Sequence, residues 1–229
     1  MAALLRLLFM VLMLGLFITG VFYFIANIFS SIAFNPESRA WKEMLAKLRA
    51  RLKKRNELRA TGMPDPLVPC NAETLSHLSL KPKMLKKTGW RDPVFEGVIS
   101  TIYQEPVLLF AGQKSGKTAV IVAQSNDKEF IFRQKGKETE VWQDGQPYAV
   151  FINGALLSSG KQSRMLAKLE ADSELRQWPV LMGQGEAAML TNVDRAVSPI
   201  PRALTLLRGL EPEEQQALLV LVVMQALQP

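Results

Sequence analysis

A wholly apolar helix late in the chain places the strongest limit on what this sequence can fold into. Glu211-Pro212-Glu213-Glu214 combines proline in a first turn with acids at the positive end of the helix dipole, which predicts a helix start. The run ALLVLVVM at 217–224 then makes that helix apolar on every face. It is far shorter than the roughly 20 residues needed to cross a bilayer, so protein should surround it. The predicted core residues are Leu218, Leu219, Leu221, Val222 and Met224.

Short apolar runs separated by turn residues precede this helix. From Val94 onward they read VFEGVISTIY, PVLLFAG, TAVIVAQ, EFIFRQ, TEVWQ and YAVFI, which are strand patterns. Asp144-Gly145 and Asn153-Gly154 are dipeptides that close antiparallel hairpins. The predicted fold class is mainly β with helices, as an antiparallel β-barrel or sandwich over 94–229 packed around the C-terminal apolar helix. SRMLAKLEA, WPVLMGQ and EAAMLTNV also read as strands, whereas Pro201 to Leu207 reads as a short helix.

The beginning of the chain predicts a membrane anchor. No charged side chain lies between Arg6 and Glu37, and residues 7–26 are long and apolar enough for one transmembrane helix within residues 1–34. A cleaved signal peptide is the competing interpretation, but its apolar region is normally shorter. One arginine precedes the apolar stretch, and residues 35–59 carry nine Lys/Arg against three Asp/Glu. The positive-inside rule therefore predicts a single-pass protein with its N-terminus outside and its C-terminal domain in the cytoplasm.

A basic amphipathic juxtamembrane helix should follow over residues 35–60. Asn35-Pro36-Glu37 resembles a helix start, and Trp41, Leu45, Leu48 and Leu52 fall on one stripe. One interpretation is that the helix lies on anionic lipid headgroups; the other is that the stripe packs on the domain or on a second copy. The predicted membrane-surface residues are Trp41, Lys42, Lys47, Arg49, Arg51, Lys53, Lys54 and Arg55.

The rest of the chain offers no pattern for a catalytic, cofactor-binding or metal site. Residues 61–93 read as a Pro- and Lys-rich linker. Residues 60–229 carry eighteen basic and eighteen acidic side chains, which argues against a nucleic-acid partner. The segment Gly112 to Thr118 suggests a phosphate-binding loop, but its first glycine is one position late and β-branched residues follow where a helix should begin.

A membrane-linked meander that ends in a wholly apolar helix resembles the superfamily of tubby C-terminal domains, phospholipid scramblases and LURP-one-related proteins. The resemblance covers residues 94–227 and implies a closed antiparallel barrel around the C-terminal helix. Tubby domains bind phosphoinositides through basic residues of the barrel. The basic residues in question here are Lys114, Lys117, Lys128, Arg133, Lys135 and Lys137. Asp127, Glu129, Glu138 and Glu140 lie among them, so the resemblance assigns no binding residue to this chain.

These patterns predict a membrane-tethered, non-enzymatic β-rich domain. It would bind lipid headgroups or a protein partner at the inner membrane surface, without a cofactor. A homodimer is also compatible with the small residues Gly15 and Thr19 of the apolar stretch. The alternative function is a nucleotide-binding enzyme that uses Gly112 to Thr118.

Overall fold

The computed structural model describes residues 13, 15–17, 34–62, 66–89, 93–160, 162–183 and 185–227. The chain divides into two compact units, Met1–Ala46 and Lys47–Pro229, and the boundary falls inside a helix. The predicted transmembrane segment 7–26 lies outside the described residues, apart from Met13, Gly15, Leu16 and Phe17, which are helical. Among the residues that are described, no helix is both long and apolar enough to span a bilayer.

Apart from the helical residues 13 and 15–17, the described fold contains three α-helices, one 3-10 helix (Val193–Arg195) and twelve strands. The helices are α1 (Arg39–Gly62), α2 (Ala72–His77) and α3 (Pro212–Ala226). The strands are β1 (Lys83–Thr88), β2 (Val94–Ser100), β3 (Pro106–Ser115), β4 (Thr118–Gln124), β5 (Glu129–Lys135), β6 (Glu138–Gln143), β7 (Gln146–Ile152), β8 (Ala155–Ser158), β9 (Met165–Leu169), β10 (Gln177–Met182), β11 (Gly185–Thr191) and β12 (Leu204–Leu206).

The strands form one antiparallel sheet in which every strand pairs with its neighbours in sequence, from β1 to β12. This confirms the predicted meander. The segment just after α2 links the end of β2 to the residues that precede β12. The Ser79 amide donates to the Ser100 carbonyl at the end of β2 (2.9 Å), while the Ala203 amide donates to the Leu78 carbonyl (2.6 Å). Residues 78–79 therefore lie between β2 and the residues that lead into β12.

Helix α3 is buried on every face, as its sequence predicts. Residues 217–224 are all buried, and they belong to one apolar core with the inward side chains of the sheet. The helix begins with Pro212, and the Glu211 amide donates to the Glu214 carboxylate at 3.1 Å, so the predicted start is confirmed. The sheet supplies the enclosing protein that a helix without a polar face requires.

Two glycines in β2 and β3 make room for two phenylalanine rings of this core. Gly97 pairs with Phe110 and Phe95 pairs with Gly112 across the strands. A Cβ atom added at Gly97 would lie 2.3 Å from Phe110 Cζ and 2.6 Å from the Lys83 carbonyl oxygen, and one at Gly112 would lie 2.4 Å from Phe95 Cζ. Each ring thus occupies the space that a side chain on the opposite glycine would need.

Gly97→Ala should therefore destabilise the domain. The Lys83 carbonyl belongs to the backbone of β1 and cannot rotate away, so we expect a loss of about 1–3 kcal/mol in the free energy of unfolding, as overpacked interiors show. Denaturant titration of the purified chain measures the loss. Gly185→Ala is the matched control, because nothing lies within 4 Å of its added Cβ atom. Equal stability of the two variants would contradict the close packing at Gly97.

Three predicted elements differ from the structure. Pro201 to Leu207 is not a helix: Leu204–Leu206 forms β12, which pairs with β11. The predicted linker 61–93 contains the exposed edge strand β1, in addition to α2, which agrees with the one or two helical turns that residues 71–80 allow. Helix α1 begins at Arg39 rather than near Pro36, because Ser38 Oγ accepts a hydrogen bond from the Trp41 amide (3.0 Å) and acts as the N-cap.

Candidate functional site

The part of α1 that belongs to the larger unit, from Lys47 onward, is held on the sheet by arginines. Arg49 binds the Glu129 carboxylate of β5 through Nη2 at 2.6 Å and through Nε at 3.0 and 3.1 Å. On the other flank of the helix, Arg51 Nη1 and Arg55 Nε donate to the two oxygens of Glu96 in β2, at 2.8 and 3.0 Å. This segment therefore crosses the sheet from β2 to β5.

Glu96 is the most buried carboxylate of these contacts, with 6% of its surface exposed. Burial raises the pKa of this carboxyl group, but the hydrogen bonds and charges of Arg51 and Arg55 outweigh burial, so its pKa lies below its usual value. Glu96 is therefore charged at neutral pH. A buried carboxylate with both oxygens bound by guanidinium groups fixes the position of the helix relative to the strand.

Beneath α1 lies a second apolar layer on the outer face of the sheet. Ala111, Val122 and Ile131 pair across β3, β4 and β5 in the same row as Glu96. They alternate with core residues such as Phe110 and Ile121, so they point away from α3. All three are nevertheless buried, and so are Leu48 and Leu52 of α1, which the ion pairs place over this row.

The predicted membrane-surface residues thus divide into three groups. Trp41 is buried, which agrees with its place on the apolar stripe. Arg49, Arg51 and Arg55 bind carboxylates of the sheet. The four lysines Lys42, Lys47, Lys53 and Lys54 are exposed. At 3.6 residues per turn, Lys47, Lys53 and Lys54 lie on the face of α1 opposite Leu48 and Leu52, with Ala50 at its centre.

We call Lys47, Ala50, Lys53 and Lys54 the lysine face. In the sequence alone, Arg and Lys are equivalent contributors to a basic surface. The sequence analysis does not identify Glu96 and Glu129, the carboxylates that bind the arginines and leave the lysines exposed. The available signal was a charged residue inside the apolar strand VFEGVIS, since a buried carboxylate requires a cationic partner.

The glycine-rich segment Gly112 to Thr118 forms the hairpin between β3 and β4. Gly112 lies within β3, the turn centres on Gly116, and Thr118 begins β4 rather than a helix. Gly112 is needed to accommodate the Phe95 ring. The segment therefore lacks the helix N-terminus that holds phosphate in a nucleotide-binding loop.

Two open cavities flank the C-terminal end of α3, and Leu227 lines both. The first has a volume of about 280 Å³ and is bounded by Phe132, Lys137 and Val223 among others. The second has a volume of about 250 Å³. We call the second one the Phe95 cavity; its floor is formed by Phe95 and Phe110, and Lys87 and Lys114 also line it.

Nothing in the described part of the chain brings three His, Cys, Asp or Glu side chains together in a way that could hold a metal ion. Cys70 is largely buried, and burial raises the pKa of its thiol to about 11, so little thiolate forms at neutral pH. Comparison of the chain with family models, curated proteins and solved structures finds no match.

Proposed function

We propose that this protein is a membrane-tethered, non-enzymatic β-rich domain whose lysine face binds anionic lipid headgroups. The carrying observation is the different position of the two kinds of basic residue on α1. Arg49, Arg51 and Arg55 bind carboxylates of the sheet, whereas Lys47, Lys53 and Lys54 stay exposed, with Lys53 4.0 Å from the exposed carboxylate of Glu57 on the same helix. Each lysine near an anionic membrane surface contributes on the order of 1 kcal/mol to binding. The apolar stretch 7–26 would supply the anchor, in a single-pass protein with a cytoplasmic domain.

The sheet's connections support a relation to the tubby, scramblase and LURP-one-related superfamily as part of this proposal. Hydrogen bonds of Leu78 and Ser79 link the end of β2 to the residues before β12, as the curved sheet of a barrel would allow, and the apolar run of α3 is buried in the same core as the sheet. The nucleotide-binding alternative is less well supported, because a hairpin occupies Gly112 to Thr118.

A probe at Ala50 tests the lysine face in the intact chain. Ala50→Cys, labelled with a nitroxide and placed in lipid nanodiscs, should become less accessible to a water-soluble relaxation agent when anionic lipid replaces neutral lipid. The change should reverse as salt rises to several hundred millimolar, because screening weakens such contacts. Cys70→Ser, introduced in the same chain, removes the one native cysteine and so directs labelling to the new cysteine.

Substitution of the lysines distinguishes binding of lipid headgroups by the lysine face from attachment to the disc through the anchor alone. Lys47→Gln/Lys53→Gln/Lys54→Gln should lose the response to anionic lipid while the anchor remains in the disc. The control Lys83→Gln/Lys86→Gln removes two exposed lysines from β1 and should keep the response. An accessibility that is the same in neutral and anionic discs would refute lipid binding by the lysine face.

A further inference from the structure

The Phe95 cavity is lined by apolar side chains and two lysines, and packing of the core does not require a cavity there. Its floor consists of two aromatic rings, each held over a glycine of the opposite strand, and its wall includes Ala226 and Leu227 at the end of α3. The rings lie 6.4 Å apart between centroids, tilted to each other. An apolar recess of this kind accepts an alkyl or aromatic group and little water.

Among the described residues, the charged side chains that line this cavity are both basic. They are Lys87 and Lys114, and no described carboxylate lines it. Lys137 is likewise the charged residue among those that line the neighbouring cavity across Leu227. An occupant should therefore combine an apolar body with an anionic end.

The volume sets the size of the apolar body. At about 250 Å³ the cavity is slightly smaller than the roughly 300–1,000 Å³ typical of pockets for drug-sized ligands, so it has room for one medium-length alkyl chain. The two chains of a phospholipid would not both fit in it. A single medium-length alkyl chain that ends in one carboxylate matches both the apolar floor and the two lysines.

We propose that the Phe95 cavity binds a medium-chain fatty acid, with the alkyl chain on Phe95 and Phe110 and the carboxylate between Lys87 and Lys114. Burial of each further methylene should strengthen such binding about fourfold. Leu227 separates this cavity from its neighbour, so a longer chain would have to displace that side chain. This site does not involve α1, and the inference is independent of the proposed headgroup binding.

Titration of the full chain in neutral-lipid nanodiscs with decanoate below its micelle concentration tests the inference. Binding is followed by calorimetry and by the NMR shift of carboxyl-labelled decanoate, with empty discs subtracted. Neutral discs contain no anionic lipid for the lysine face to bind. Absence of decanoate binding would therefore count against the cavity site and not against lipid binding by the lysine face. We expect saturable binding of decanoate and at least tenfold weaker binding of decanol, which lacks the charge.

Three variants locate the site. Lys87→Gln/Lys114→Gln should weaken decanoate at least tenfold while leaving decanol unchanged. Ala226→Phe fills the cavity and should abolish both. Lys117→Gln, an exposed lysine on the same hairpin as Lys114 that does not line the cavity, should bind as the wild type does.

Lysines also stabilise the carbonyl end of a helix, and this role predicts a different result. In that case the double lysine variant would melt at a lower temperature without ligand and decanoate would bind equally to both chains. Any of three results overturns the inference: this outcome, equal affinity of the wild type for decanol and decanoate, or a loss of decanoate affinity in Lys117→Gln equal to that of the double lysine variant. If Ala226→Phe does not fold, the lysine variants and the decanol comparison still decide it.

Discussion

Leu221→Ala should lower the free energy of unfolding by about 2–5 kcal/mol. Leu221 lies in the middle of α3 and is 1% exposed, so truncation leaves a cavity that the surrounding strands cannot collapse to fill. The helix is apolar on all sides, and no polar face offers an alternative packing. Denaturant unfolding of the purified chain, followed by far-ultraviolet circular dichroism, measures the change.

Leu175→Ala provides the matched control for this substitution. Leu175 is about half exposed and lies in the loop before β10, so the same chemical change should cost less than about 0.5 kcal/mol. If the two variants unfold at the same denaturant concentration, α3 does not form the centre of the core.

Glu96→Gln should cost about 3 kcal/mol and should release α1 from the sheet. The substitution leaves Arg51 and Arg55 without their carboxylate, and breaking a buried ion pair costs 3–5 kcal/mol. We expect the lower end of that range because the two arginine side chains are about a third exposed. Limited trypsin digestion should cleave the variant within α1 faster than it cleaves the wild type. Glu170→Gln is the control: it loses only the exposed ion pair with Lys168, so it should be digested at the rate of the wild type.

The stability difference between wild type and Glu96→Gln should depend on pH in a defined direction. The folded protein holds the pKa of Glu96 below that of an unfolded glutamate, which is about 4.3. The ion pairs therefore contribute fully above that value, and their contribution is lost as pH falls through the folded pKa. Unfolding measured from pH 7 downward should show the two curves converging in the acid range. Curves that stay parallel below pH 4 would show that Glu96 is not the group responsible.

The predictable parts of the fold are those that a local pattern encodes. Alternating apolar runs and Asn-Gly or Asp-Gly turns identify β2 to β7 without reference to the rest of the chain. Strand β1 reads KMLKKT, and it escaped prediction because an edge strand exposed on both faces has no apolar alternation. Strand β12 was assigned as a helix because its three residues owe their conformation to pairing with β11 rather than to local preference.

For the candidate site, the sequence predicts which face of α1 is apolar, but it does not predict the contacts of the basic residues. The stripe of Leu48 and Leu52 follows from helical periodicity, and both are buried as expected. The division between bound arginines and exposed lysines depends on Glu96 and Glu129, which lie 41 to 80 residues away in sequence. The Phe95 cavity depends on strand register, which brings Gly97 opposite Phe110 and has no signature in either strand alone.

The order of elements along the chain has a consequence for biosynthesis. Each hairpin can pair as soon as its second strand leaves the ribosome, because every strand neighbours the next in sequence. The inward side chains of the strands nevertheless have no helix to pack against until α3 is translated, since α3 follows all twelve strands. The nascent sheet therefore exposes its apolar interior for most of translation, and chaperone protection should be needed most just before Pro212 emerges. A premature stop codon between β12 and α3 would leave a sheet that aggregates rather than a smaller stable domain.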